Sequence, residues 1–161
     1  MKYFLLPLFL VIILLSACSE SGATSETQKS SPTTAQKAAL ETLPSIPVAE
    51  MQKLFDECDH VDYIFYESNF SMSMDNKSSI QQTLTHVSEQ VPVLDKNCKS
   101  IGRVFYEIDG NTEIEAEIYF SNECQHLVFM RKNERIYANN LTPEGVAHFN
   151  NIFKQASEMN K

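Results

Sequence analysis

The stretch IGRVFYEIDGNTEIEAEIYF, residues 101–120, decides the fold. Apolar residues occupy the even positions on both sides of Asp109-Gly110-Asn111: Val104, Tyr106 and Ile108 before it, then Ile114, Ala116, Ile118 and Phe120. A period of two marks a strand with one buried face. Asp, Gly and Asn tolerate the left-handed backbone of a tight turn. The stretch therefore reads as a β-hairpin with an even, buried face and an odd, wet one.

Downstream, HLVFM (126–130) reads as a third strand after the loop SNECQ, and IYA (136–138) as a fourth after the polar turn RKNER. LTPEGVAHFNNIFKQA (141–156) then reads as a helix, with Thr142 as cap, Pro143 at the first helical position and Glu144 in the first turn. Its expected buried stripe is Val146, Phe149, Phe153 and Ala156. Upstream, Asp75 or Asn76 caps a helix whose stripe, Ile80, Leu84 and Val87, runs to about Glu89, with Pro92 beyond it. Before that, VDYIFYESNFSMSM (61–74) reads as one strand broken near Ser68, with Ile64, Tyr66, Phe70, Met72 and Met74 on its apolar face. VAEMQKLFDEC (48–58) repeats apolar residues at helical spacing after Pro47.

The resulting order, α-β-α-β-β-β-β-α, predicts a single α+β domain over residues 43–161. It should form an antiparallel sheet of about four to five strands with helices packed on one face.

Parity also sorts the cysteines. Cys98 and Cys124 share the even parity of the hairpin's buried face and lie at the open ends of its strands. If Ile108 faces Ile114, Cys98 falls opposite Cys124. A three-residue loop instead sets it one diagonal step away. Either register brings the two near disulfide distance, so a Cys98–Cys124 bridge is expected. Cys58 is then left as a free thiol. On the first helix it continues the apolar stripe as a small hydrophobe; the functional alternative is a reactive thiol inside DECDH (56–60). That cluster lacks the paired spacing of a metal site, and no metal is expected there.

The odd face of the hairpin carries Glu107, Glu113, Glu115 and Glu117, with Arg103 able to pair with Glu117. Like charges on one face repel unless solvated or countered. A solvated sheet face accounts for them; a cation site or a surface for a basic partner is the functional reading. The four histidines, His60, His86, His126 and His148, are scattered one per element. No local catalytic motif and no phosphate loop is present, and with four glycines in the chain a Gly-rich cofactor cradle is not expected.

The N-terminus gives the address. Residues 3–15 are almost wholly apolar, preceded by Lys2 and followed by Ser16 and Ala17. A bilayer-spanning helix needs about 20 apolar residues, and this run is shorter; its parts are those of a secretory signal peptide. Leu15-Ser16-Ala17-Cys18 resembles the lipobox of bacterial lipoproteins at all four positions. The resemblance covers residues 1–18 alone. It implies that residues 1–17 are removed, that Cys18 is acylated, and that the acyl chains hold the protein to a membrane of the bacterial envelope. Ser19, in place of an aspartate, implies the outer membrane in a Gram-negative host.

Residues 19–42, rich in Ser, Thr, Gln and Ala and free of aromatics, cannot bury enough apolar surface to offset the entropy of ordering. With Cys18 they are read as a lipidated, flexible tether. Lys2 is the sole charged residue before Cys18, so the mature chain carries 12 basic and 21 acidic side chains. So acidic a domain suits neither nucleic acid nor anionic lipid. The expected function is non-catalytic: an envelope-bound binding or assembly-accessory domain with an envelope protein as partner and no cofactor. The alternatives are a thiol-dependent or hydrolytic envelope enzyme, and a lipoprotein that binds a small ligand or cation.

Overall fold

The structure, a computed structural model, describes residues 42–68 and 70–159. The expected signal peptide, the expected lipidation of Cys18 and the expected tether to residue 41 lie outside the described residues. Three helices, α1 (Val48–Glu57), α2 (Lys77–Leu84) and α3 (Pro143–Met159), accompany six strands. These are β1 (His60–Phe65), β2 (Ser71–Met74), β3 (Ser100–Ile108), β4 (Asn111–Phe120), β5 (Gln125–Arg131) and β6 (Glu134–Asn140). They form one antiparallel sheet in the order β2-β1-β3-β4-β5-β6. The α+β class stands, with six strands where four to five were expected.

The extra strand comes from residues 61–74, which form a hairpin of β1 and β2. Tyr63 faces Met72 and Val61 faces Met74, so odd residues of β1 share the core side with even residues of β2. Val61, Tyr63 and Phe65 are buried, whereas Ile64 and Tyr66 are 46% and 54% exposed, opposite to the single-strand reading. The reversal has a physical source: residues 61–66 are apolar at both parities apart from Asp62, so alternation cannot choose a face.

In the 101–120 hairpin, Asp109 and Gly110 both have positive φ, 51° and 73°, as the tight two-residue turn requires. Ile108 faces Asn111 and Glu107 faces Thr112, but Tyr106 faces Ile114 and Val104 faces Ala116. The extra residue, Glu113, is a β-bulge. It lets a two-residue turn coexist with the strand register that a three-residue loop would give. A second irregularity lies between Ser100 and Gly102. The chain also turns tightly at Lys132 and Asn133, φ 53° and 66°, between β5 and β6.

The main core joins the hairpin's even residues, Val104, Tyr106, Ile114, Ala116 and Ile118, to Leu54 of α1, Ile80 and Leu84 of α2, and Phe149 and Ile152 of α3. A smaller cluster of Leu94, Tyr119, Cys124, Val128 and Ala138 lies on the other side of β5 and β6. β5 is accordingly buried from His126 to Met130, on both faces.

Helix ends follow local chemistry. Asn76 caps α2 by accepting from the Ser79 amide at 3.1 Å, and Thr142 caps α3 by accepting from the Gly145 amide at 3.1 Å. The last carbonyls of α1 are taken by side chains of α2: Lys77 donates to Cys58 at 3.0 Å and Gln81 to Phe55 at 3.1 Å. α2 ends at Leu84, short of the expected Glu89. Thr83 and Thr85 bond back to the carbonyls of Ile80 and Gln82, and Val87 leaves the helix to bridge Leu141.

Candidate functional site

A groove of about 260 Å³ opens where α1, the segment after α2 and the edge strand β6 meet. One wall is α1, with the exposed Val48 and the partly buried Met51 and Phe55; the other is Leu84, Thr85 and Val87. Its floor is polar: Asn139 with Ser45 and Ser88. Val48, expected on the buried stripe of α1, is 74% exposed at the rim.

Asn139 builds that floor. It is 1% exposed. Its side-chain oxygen accepts from the Ile46 amide at 2.9 Å, and its nitrogen donates to the Ser45 hydroxyl and the Ser88 carbonyl, each at 2.7 Å. Backbone bonds continue the closure: Ala138 donates to Pro44 at 2.9 Å, Ser88 to Asn140 at 2.8 Å, and Asn140 to Gln90 at 2.8 Å. Two chain segments thus cover the outer edge of β6, satisfying backbone groups that an edge strand otherwise leaves open. Reading β6 as 136–138 stopped one residue short of Asn139, and nothing in the spacing marks it. A wider concavity of about 970 Å³ lies beside Val91, Val93 and the start of α3; its walls are more polar than apolar.

Cys98 and Cys124 form the expected disulfide, with Cα atoms 5.8 Å apart. Cys58 is free and 0% exposed at the end of α1. Burial pushes its thiol above the ordinary value, against the weaker pull of backbone bonds at His60 and Glu107 and of the Lys77 charge. A reactive cysteine requires the opposite, an exposed and stabilised thiolate. The polar neighbours in DECDH point elsewhere: Asp56 accepts from Gln52 at 2.9 Å, Asp59 from the Asp109 amide at 3.1 Å, and His60 pairs with Asp62 at 3.3 Å.

The four glutamates of the hairpin divide into separate sets. Arg103 contacts Glu115 at 3.2 Å and Glu117 at 3.8 Å, and Arg135 contacts Glu117 at 2.7 Å. The bulge turns Glu113 toward α1, where Lys53 reaches it at 3.0 Å and Arg131 at 3.8 Å. Glu107 faces His60 and Thr112 along the ladder. Among the described residues no group of three or more His, Cys, Asp or Glu side chains is arranged to hold a metal ion, and no helix is long and apolar enough to cross a membrane.

Two histidines expected on separate elements meet: the rings of His86 and His148 lie 4.8 Å apart. His126 stacks instead on Tyr119 at 4.7 Å. Neither meeting is marked by any sequence spacing, because both are made by tertiary packing. The chain matches no family model, no curated protein and no solved structure.

Proposed function

We propose that the chain is a lipid-anchored protein of the bacterial cell envelope, on the outer membrane in a Gram-negative host, whose domain works by binding and not by catalysis. Its address rests on Leu15-Ser16-Ala17-Cys18 and the apolar run before it. The tether from Ser19 lets the domain stand off the membrane to meet an envelope partner. The binding reading is carried by the groove between α1 and residues 84–89, whose apolar walls stand over a base tied shut by the buried Asn139 amide. Such walls take a small apolar molecule, or one apolar side chain of a partner protein, by burying it against Val48, Met51, Phe55 and Val87. The buried Cys58 supports this reading over a thiol enzyme, because burial disfavours its thiolate.

The test uses the full chain and 8-anilinonaphthalene-1-sulfonate as probe. Saturable fluorescence enhancement that is lost in Thr85→Trp, where an exposed rim residue is enlarged to block the groove, is the expected result. No saturable binding, or binding unchanged by Thr85→Trp in a folded variant, rules the groove out as the site. Metabolic labelling with palmitate, lost in Cys18→Ser, checks the anchor separately.

A further inference from the structure

The end of α2 and the start of α3 are held together more closely than packing of two ordinary surfaces requires. The Thr142 amide donates to the His86 carbonyl at 2.8 Å. A Cβ on Gly145 would lie 2.8 Å from that same carbonyl oxygen, so only glycine permits the approach. One turn further along α3, the His148 ring faces the His86 ring at 4.8 Å. His86 is 7% exposed, and the Nε2 atom of His148 is buried without a hydrogen-bond partner among the described residues. Phe149, next in sequence, packs edge-on to Tyr63 and against Phe120 of the sheet.

We propose that the His86–His148 pair is an acid-sensitive latch, which docks the first half of α3 while both rings are neutral and releases it when they take up protons. A proton on either ring places a cation in a poorly solvated contact, and a second proton sets two like charges face to face. Glu144, on the first turn of α3, is the charged side chain that faces His86 and partly offsets this; burial and the facing His148 ring act in the other direction. His148 is held down by burial alone. Both groups therefore take up protons less readily folded than unfolded. The latch is intact above the ordinary histidine range, about pH 6.5, and its contribution falls as pH drops through that value. Release uncovers Phe149 and the aromatic core beneath it.

Hydrogen exchange of the full chain tests this at about pH 7.5 and about pH 5, corrected for intrinsic rates, with the strand amides of β3 and β4 as internal reference. Amides of residues 146–149 should lose up to about tenfold protection at the lower pH, while β3 and β4 keep theirs. His148→Gln should reduce the difference by taking away one of the two rings and the facing charge, and His86→Gln should do so independently if the first variant folds poorly. Unchanged protection over residues 146–149, or an equal acid loss in a folded His148→Gln chain, overturns the latch. So does imidazole titration by NMR in which both rings titrate as free histidine.

Discussion

The backbone amide of Ile46 donates to the side-chain oxygen of Asn139 at 2.9 Å across 93 positions of sequence. The same side chain holds Ser45 and the Ser88 carbonyl. One buried amide thus joins the segment leading into α1, the segment leaving α2 and the outer strand of the sheet. Removing it strands several backbone groups at once.

Asn139→Ala should therefore destabilise the domain by about 2–4 kcal/mol, more than a single neutral hydrogen bond is worth, because the Ile46 amide and Ser88 carbonyl are left desolvated and unpaired. Urea unfolding checks it. Asn139→Asp should be comparably damaging, since it keeps an acceptor for Ile46 but loses the donor to Ser88 and buries a charge. A loss under about 0.5 kcal/mol in both variants would show that water replaces the amide.

Gly102 and Gly110 should respond to substitution for different reasons. A Cβ at Gly102 would collide with the Ile64 carbonyl oxygen, backbone against backbone across β1 and β3. Gly110 has open space around it but a φ of +73°. Gly102→Ala should cost about 1–3 kcal/mol by forcing the strands apart, and a larger side chain should cost more. Gly110→Ala should cost about 1–2 kcal/mol, and Gly110→Asn should recover most of that, because asparagine tolerates the left-handed region. Comparing denaturation midpoints for Ala and Asn at each site separates the two causes.

What the sequence disclosed and what it withheld divide along physical lines. Residues 104–118 alternate, so the hairpin and its even core face are legible; the Cys98–Cys124 bridge forms as expected, but a register slip between Ser100 and Gly102 sets it in the smaller cluster beside Tyr119 and not on the even core face. Residues 61–66 are apolar at both parities apart from Asp62, so alternation leaves the face of β1 ambiguous, and the structure buries the odd residues. Val87 fits a helical stripe as well as it fits the bridge to Leu141, so periodicity carries α2 past its end at Leu84. Parity groups Glu113 with Glu115 and Glu117, because a bulge breaks parity without leaving a compositional mark. Of the candidate groove, periodicity marks apolar residues of both walls, on α1 and at Leu84 and Val87, but not that they face each other across a groove. Asn139, and the approach of His86 to His148, depend on long-range packing that spacing does not encode.

Cys58 should be inert in the folded chain. In a Cys18→Ser variant with the disulfide intact, 5,5′-dithiobis(2-nitrobenzoate) should label Cys58 no faster than the domain opens, and at once in denaturant. Because burial raises the thiol above its ordinary 9.0, the unfolded chain gives up that proton first as pH rises. Stability is then complete below that value and falls above it. Tyr63, pushed up to about 12 by burial, adds to the alkaline loss once the ordinary tyrosine range is passed. Urea midpoints taken across the alkaline range should decline accordingly, and rapid native labelling at neutral pH would contradict the buried placement.

The disulfide should matter most on the side of the sheet away from the main core. It closes a loop of sequence separation 26, for which the chain-entropy relation gives about 3.5 kcal/mol of stabilisation. That loop carries Leu94's neighbours at Cys98 against Tyr119, Cys124, Val128 and Ala138, a cluster too small to hold the connection by burial alone. The main core needs no such tie, since Phe129 and Leu127 are covered by helices already fixed through Leu54, Ile80 and Phe149. Cys98→Ala/Cys124→Ala should lower the melting temperature and should raise amide exchange at Val128 and Ala138, where the small cluster loosens, ahead of exchange at Val104 and Ile118. Equal acceleration at all four amides would mean that the bridge supports the whole domain. An unchanged melting temperature would mean that the 94–98 segment is held by its packing after all.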